Sequence, residues 1–210
     1  MPIKLDHLVV VAGDLEEGIA WAEDTLGVPP LAGGRHPLMG THNALWGLGS
    51  CYLEVIAVDP EAVRPEEPRW FGLDDPRLQS YLCGGPMLAT WAVAVESFDA
   101  IGTPPLALDG PYPQSRDSLT WEIMLPREVP LPLGGAWPLL IRWTSGPHPA
   151  DALTDQGLRL DRFEIASPHA ETVQAVFGTL EAPAPVTFVP YADGTRLTAT
   201  IRTRSKTVTL

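Results

Sequence analysis

Cysteine, positive charge and long apolar runs are all scarce in this sequence. Its 210 residues include two cysteines, Cys51 and Cys83, which in the absence of a secretion signal favour reduced thiols in a cytoplasm. Lys and Arg number 14 against 26 Asp and Glu, and the net charge of −12 argues against nucleic acid and anionic membranes as partners. No apolar run is long enough to span a bilayer, and no basic-then-apolar segment opens the chain, so we expect a cytoplasmic protein without a membrane partner.

Proline and glycine, by contrast, are plentiful. The 23 prolines and 19 glycines are scattered along the chain and punctuate many loops. A chain of this length buries a substantial core, either as one domain or as two closely packed halves.

The first 58 residues predict a strand, a helix and then further strands. The runs 5–11 and 51–58 are apolar, and each carries one titratable side chain near its middle, His7 in the first and Glu54 in the second. Such runs are typical of strands buried on at least one face. A buried ionisable group needs a partner, a metal ion or a wet pocket, because its desolvation alone is costly. His7 and Glu54 are therefore the first candidates for a functional site.

The predicted helix lies between these two strands. Asp14 and Glu17 have the spacing of a capping box, and Gly27 followed by two prolines marks the end of the helix. Its apolar stripe consists of Leu15, Ile19, Ala22 and Leu26. If this helix covers one face of the strands, His7 and Glu54 line the opposite, concave face.

The rest of the chain predicts a connection and two further modules. Residues 1–58 are the first βαβββ module, and residues 59–87 are a connection, exposed over 59–68, with one short helix. Residues 88–150 form a degenerate second module, and residues 151–210 form a third βαβββ-like module whose start repeats the pattern around His7. We expect all of them to form one compact domain, and which module packs beside the first is left open.

Several stretches carry a resemblance to a known family. They are Leu5-Asp6-His7-Leu8-Val9-Val10, 34–45, 52–56, 71–76, 90–91, 115–116, 141–143 and 148–149. On these stretches the chain resembles the vicinal oxygen chelate superfamily, in its glyoxalase-like domain branch. The resemblance implies an α+β fold of repeated βαβββ modules, with mixed sheets forming a cup. It also implies, as in many members, one divalent metal ion (Zn, Mn, Fe, Ni or Mg) held by a His and a Glu that match His7 and Glu54.

The ligands that the paired module would contribute to such a metal are missing. In the second module Trp91 aligns with His7 and Arg142 aligns with Glu54, and in the third module Arg162 aligns with His7. An Arg in the cup would also repel a cation. Two interpretations stay open. In the first, His7 and Glu54 hold a metal ion. In the second there is no cofactor, and either His7 and Glu54 pair with each other or Glu54 pairs with Arg142.

Other polar and aromatic residues are candidates for ligand binding. They are Arg35, His36, Thr41, Asn43, Trp91, Arg116, Arg142 and Trp143. The alternative for the residues from Arg35 to Asn43 is that they shape a turn. Arg116 follows a Pro-rich stretch and is expected in a loop, so its alternative is a solvated surface residue. For the two tryptophans the alternative is core packing.

Two classes of function follow from the resemblance. The first is a small-molecule enzyme of lyase, isomerase or dioxygenase type, with His7 and Glu54 as catalytic residues acting on a metal-bound substrate or as acid and base. The second is a non-catalytic protein that binds or sequesters a small organic anion. In both classes the ligand is a small molecule, and it is an organic anion if Arg142 supplies a cation site. We also expect the protein to be a monomer or a homodimer.

Overall fold

The computed structural model describes residues 3–66, 69–116, 118–126 and 131–210. Within these residues, twelve strands form one eight-stranded and one four-stranded sheet, accompanied by four α-helices. None of the described helices is both long and apolar enough to cross a membrane.

The first module forms around a well-capped helix. Its elements are β1 (Lys4–Val11), α1 (Leu15–Leu26), β2 (Ala32–His36), β3 (Thr41–Gly47) and β4 (Tyr52–Val58). The Asp14 carboxylate accepts hydrogen bonds from the backbone N–H groups of Glu16 and Glu17, and Gly27 ends the helix with a φ of 77°. The helix therefore begins and ends where the local sequence signals place it.

The second module contains a strand that the sequence did not predict. After α2 (Pro76–Leu82) come β5 (Met87–Ala94), β6 (Leu108–Arg116), β7 (Leu119–Pro126) and β8 (Leu139–Ser145). A short 3-10 turn, Phe98–Ile101, stands in place of a helix. The Pro-rich stretch in β6 was expected to be a loop. It forms a strand because β6 lies at the sheet edge, where proline is tolerated, and the register shifts between Asp109 and Tyr112.

One continuous sheet joins the first and second modules. The strand order is β2-β3-β4-β1-β5-β8-β7-β6, with β1 antiparallel to β5 at the centre. The second module therefore packs beside the first, which settles the point that the sequence left open.

The third module forms a separate four-stranded sheet. Its elements are α3 (Pro149–Ala152), β9 (Arg159–Ser167), α4 (Ala170–Phe177), β10 (Val186–Pro190), β11 (Arg196–Arg202) and β12 (Thr207–Thr209), with sheet order β10-β9-β11-β12. Ser167 Oγ accepts a hydrogen bond from the backbone N–H of His169, and α4 begins at the next residue, Ala170. The module boundaries at 58, 87 and 150 stay predictions, and residues 67 and 68 of the connection lie outside the described residues.

The two faces of the large sheet have different partners. Leu8 and Val55 share a buried core with Ala22 of α1, and the same core continues to Phe163 of the small sheet. His7 and Glu54, which alternate with these residues along β1 and β4, point to the other face. Helix α1 thus covers one side and leaves the concave side open for a site.

Candidate functional site

A cavity opens on the concave face of the eight-stranded sheet. The empty space within it and at its open mouth amounts to about 420 Å³. Its polar lining consists of His7, His36, Asn43, Glu54 and Arg116, and these side chains come from β1, β2, β3, β4 and β6. Strands that are distant in sequence therefore bring five polar groups to one place.

The imidazole of His7 is oriented by a hydrogen bond to a buried carboxylate, that of Asp6. His7 Nδ1 donates to Asp6 Oδ1 at 2.6 Å, and the ring stacks on Tyr52 with centroids 4.7 Å apart. The other oxygen of Asp6 accepts from Trp143 Nε1 at 2.7 Å and from His148 Nε2 at 2.9 Å. Asp6, with no solvent exposure, therefore receives three N–H donors and fixes the orientation of His7.

This network sets the charge of both partners. Burial disfavours the ionised form of Asp6, but the hydrogen bonds from His148 and His7 outweigh burial and hold the pKa of Asp6 well below its usual value of 3.8. Burial also disfavours a charged His7, but the hydrogen bond and charge of Asp6, with the charge of Glu54, raise the pKa of His7 above 6.5. His7 therefore favours the imidazolium form, with Nε2–H available to the cavity.

Glu54 faces this imidazolium and is fixed from the other side. Its Oε2 lies 3.5 Å from His7 Nε2, and its Oε1 accepts a hydrogen bond from Asn43 Nδ2. The Asn43 amide oxygen in turn accepts from the backbone N–H of Gly34 at 3.0 Å and from Arg116 Nη1 at 3.2 Å. The carboxylate is thus oriented by one oxygen, while the other faces His7.

Arg116 brings a positive charge into the cavity from the edge of the sheet. Its side chain crosses β2 at Gly34, where an added Cβ would lie 2.7 Å from Arg116 Cδ, so glycine is what leaves room for it. Across the described part of the chain, no carboxylate lies within ion-pairing distance of its guanidinium. This residue was expected in a loop, and the unpredicted strand β6 is what aims it at the site.

His36 adds a polar group without a charge. Burial, followed by the charges of Arg116, His42 and His7, lowers its pKa from 6.5 to about 3, so it is neutral at pH 7. Its Nδ1 lies 3.1 Å from the hydroxyl oxygen of Thr41. Thr41 itself is fully buried and supports His36 without lining the cavity.

Aromatic rings form much of the remaining wall. They are Tyr52, Trp70, Phe71, Trp121 and Trp143. Of these, the sequence pointed only to Trp143 as a ligand-binding residue. Trp70 and Phe71 come from the connection after β4, where no periodic pattern marks a buried aromatic residue.

The structure places three predicted site residues away from the cavity. Trp91 lies on the opposite face of the sheet, fully buried, and donates from Nε1 to the Ala136 carbonyl at 3.0 Å. Arg142 pairs with Glu122, and Arg35 is 56% exposed and pairs with Glu61 at 2.6 Å. The predicted convergence of Trp91 and Arg142 with His7 and Glu54 is therefore wrong, and so is the predicted pair between Glu54 and Arg142.

The register of the strands explains why Trp91 and Arg142 lie away from the cavity. His7 pairs with Ala92 across the β1–β5 ladder, so Ala92 shares the face of His7, and Trp91, the residue before it on β5, points to the opposite face. Along β8 it is Ile141 and Trp143 that line the cavity, and Arg142 between them points to the other face.

The donor set does not fit a divalent metal ion. His7 and Glu54 would supply two ligands, but the side chains that β8 brings to the cavity, Leu139, Ile141 and Trp143, are not metal ligands, and Arg116 adds a cation to the same cavity. Within the described ranges, no three His, Cys, Asp or Glu side chains are grouped so as to hold a metal.

Two further residues of the site had weak sequence signals. Asp6 is a charged residue inside an apolar strand, and its full burial beside His7 could have been inferred from that position. His148 follows β8 and has no visible partner in sequence; its Nδ1 accepts from the backbone N–H of Ala150, which leaves Nε2–H for Asp6.

Comparison with known proteins agrees with this fold. The model of the family described as Glyoxalase-like domain matches residues 5–180. The structure of a hypothetical protein from Staphylococcus aureus aligns over 100% of this chain and 84% of its own, with a TM-score of 0.57 and 12% identity. Methylmalonyl-CoA epimerase from Mycobacterium tuberculosis aligns over 69% of this chain and 89% of its own, with a TM-score of 0.44 and 18% identity.

No curated protein matches the chain significantly. At 12% identity the likeness to the Staphylococcus aureus structure concerns the fold alone. Together with the family match, the curled mixed sheet confirms the predicted α+β fold of βαβββ modules.

Proposed function

Because the chain belongs to the glyoxalase-like domain family, within the vicinal oxygen chelate superfamily, we propose that it is a small-molecule enzyme that moves a proton on an organic anion. In this proposal Arg116 holds the carboxylate of the ligand, and Glu54 and His7 are the catalytic base and acid. The cation that the sequence assigned to Arg142 is supplied by Arg116. A cytoplasmic location and a monomeric or homodimeric state stay predictions.

One observation carries the proposal: two fixed groups of opposite role face each other beside a cation. Asn43 links Arg116 to Glu54, and Asp6 holds His7 on the other side of the carboxylate. A general base and a general acid must both be oriented before the ligand arrives. Here Glu54 is anchored through Oε1 and His7 through Nδ1, which leaves Glu54 Oε2 and His7 Nε2 facing each other.

The chemistry follows from these atoms. Glu54 Oε2 takes a proton from the carbon next to the bound carboxylate, so that the C–H bond breaks and an O–H bond forms on Glu54. The electron pair moves toward the adjacent carbonyl or carboxylate oxygen, where the His7 Nε2–H donor stabilises the developing charge. Return of the proton from Glu54 to another atom of the resulting enolate gives an isomerisation, and departure of a leaving group from the adjacent carbon, protonated by His7 Nε2–H, gives an elimination.

A second candidate, a protein that binds an organic anion without turnover, uses the same anchor. It is favoured by Leu139 and Ile141, apolar side chains through which β8 lines the cavity without adding a titratable group. The two candidates share Arg116 and differ in whether Glu54 accepts a proton from the ligand.

The test of the anion site is calorimetric titration with a panel of small carboxylates. Arg116→Met should weaken binding by about 10- to 100-fold, since it removes a charge-assisted contact. Arg142→Met is the matched control, because Arg142 belongs to the same sheet but pairs with Glu122 away from the cavity, and it should bind like wild type.

Two results would contradict the proposal. One is equal binding by wild type and Arg116→Met across the carboxylate panel. The other is tight binding of Mn²⁺ or Zn²⁺ that is lost in both His7→Ala and Glu54→Gln, because the pair would then be a metal site.

A further inference from the structure

We infer that the cavity selects an aromatic monocarboxylate, a flat ring bearing a single carboxylate a few bonds away. The inference rests on the proposed function and names the substrate class for it. It comes from how charge and aromatic rings are distributed around the cavity.

The charges of the cavity suit one carboxylate and disfavour two. Arg116 is the guanidinium in the lining, while Arg35 and Arg142 are paired with Glu61 and Glu122 elsewhere. His36 is buried in the lining but neutral at pH 7, so it offers no second positive charge. Glu54 would repel a second carboxylate placed near it.

The positive charge of His7 does not change this count. Its Nδ1–H is taken by Asp6, and its Nε2 lies opposite Glu54, so the charge of the imidazolium is already met by two carboxylates of the protein. A ligand carboxylate therefore finds its strongest uncompensated partner in Arg116.

The aromatic rings form a continuous band. The centroid of the Trp121 ring lies 5.4 Å from that of Trp143 and 6.3 Å from that of His36. The His36 ring lies 5.0 Å from the Trp70 ring, and Trp70 lies 5.7 Å from Phe71. The cavity thus has a polar line, from Arg116 to His7, and an aromatic band beside it, which matches a ligand with one charged end and one flat apolar end.

The backbone at Phe71 is a separate sign that an aromatic wall is needed. Phe71 has a φ of 57°, a conformation that a bulky side chain rarely adopts and that costs energy. This conformation accompanies a ring that lines the cavity and is only 7% exposed. Strained residues of this kind cluster at ligand sites.

The test compares a ligand of the proposed class with two ligands that depart from it. Phenylacetate has the flat ring and one carboxylate, cyclohexylacetate has a puckered ring, and succinate has two carboxylates and no ring. By calorimetry at pH 7, phenylacetate should bind about three- to tenfold more tightly than cyclohexylacetate, the range expected for aromatic contacts, and more tightly than succinate.

Substitutions of Trp121 test whether the preference for phenylacetate over cyclohexylacetate comes from the aromatic band. Trp121→Leu should bind phenylacetate and cyclohexylacetate equally, and Trp121→Phe should keep most of the preference. Phe71→Leu is an independent second variant, with the same expected direction, on the opposite side of the band.

The outcomes separate this inference from the proposed function. If succinate or cyclohexylacetate binds as tightly as phenylacetate, and Arg116→Met weakens that binding, the aromatic class is wrong while the anion site stands. If none of the three binds to wild type, both the substrate class and the proposed function fail.

Discussion

At the scale of single residues, the burial of Asp6 decides the charge of the site. A carboxylate without solvent exposure is tolerated because three N–H groups, from His7, Trp143 and His148, satisfy it. Its charge keeps a proton on His7, which lies between it and Glu54. Asp6 is thus a positioning residue: it acts on the cavity through His7.

Asp6→Asn should lower the free energy of unfolding by about 3–5 kcal/mol at pH 6, because it leaves His7 in a buried site without its partner. The pKa of His7 is raised in the folded state, so the stability it contributes is fully present below pH 6.5 and is lost as pH rises through the folded pKa. The deficit of the variant should therefore shrink between pH 6 and pH 9 in urea unfolding. Asp161→Asn, which removes the partly exposed partner of Arg202, is the control. A deficit that is the same at both pH values would argue against this charge assignment.

At the scale of elements, the edge strand β2 makes room for the site through two adjacent glycines with different duties. A Cβ on Gly33 would lie 2.2 Å from the backbone oxygen of Asn43, which belongs to the neighbouring strand. A Cβ on Gly34 would instead meet the flexible side chain of Arg116. One glycine permits strand pairing, and the other permits the cation to reach the cavity.

Gly34→Ala should therefore weaken carboxylate binding several-fold with little change in the midpoint of thermal unfolding, since Arg116 can move aside. Gly33→Ala should lower that midpoint by several degrees, because the backbone of β3 must shift. Thermal unfolding and calorimetry on the two variants give the comparison. If both lose stability equally, Gly34 does not act through Arg116.

Local signals explain which elements the sequence could predict. Helix α1 was predicted with its ends because its cap, apolar stripe and terminal glycine lie within one short segment. His7 and Glu54 were found because a titratable residue inside an apolar strand is conspicuous. Arg116 was expected in a loop because the strand that carries it is rich in proline and pairs only at a sheet edge.

The errors at Trp91 and Arg142 have one physical origin. Side chains alternate along a strand, so an alignment that is off by one residue moves a side chain to the opposite face. The β1–β5 ladder contains register shifts between Leu5 and His7 and between Val9 and Val10, and no local pattern reveals them. Such shifts depend on pairing between distant strands.

At the scale of the whole molecule, Trp91 ties the small sheet to the large one. Its ring lies 5.6 Å from both Phe163 of β9 and Phe177 of α4. The third module is therefore fixed to the face of the large sheet that is opposite the cavity. The cavity is built by the first two modules and the connection between them, while the third module stabilises the sheet that carries it.

Trp91→Ala should lower the free energy of unfolding by about 3–5 kcal/mol, the usual range for removing a large buried ring. Carboxylate affinity, measured where the variant remains folded, should equal that of wild type. Urea unfolding and calorimetry on the same preparation provide both values. A variant that keeps its stability but loses binding would place Trp91 in the site after all.

The most direct test of the account is exchange of the ligand proton in D₂O. Wild type incubated with carboxylates that it binds should replace the hydrogen next to the carboxylate by deuterium, followed as the loss of its ¹H NMR signal. Glu54→Gln should slow this exchange by about 10²- to 10⁴-fold while retaining binding. Glu122→Gln, the same substitution away from the cavity on strand β7 of the large sheet, should exchange at the wild-type rate. Exchange at an equal rate in wild type and Glu54→Gln, or none in wild type with a carboxylate that it binds, would contradict the catalytic role of Glu54.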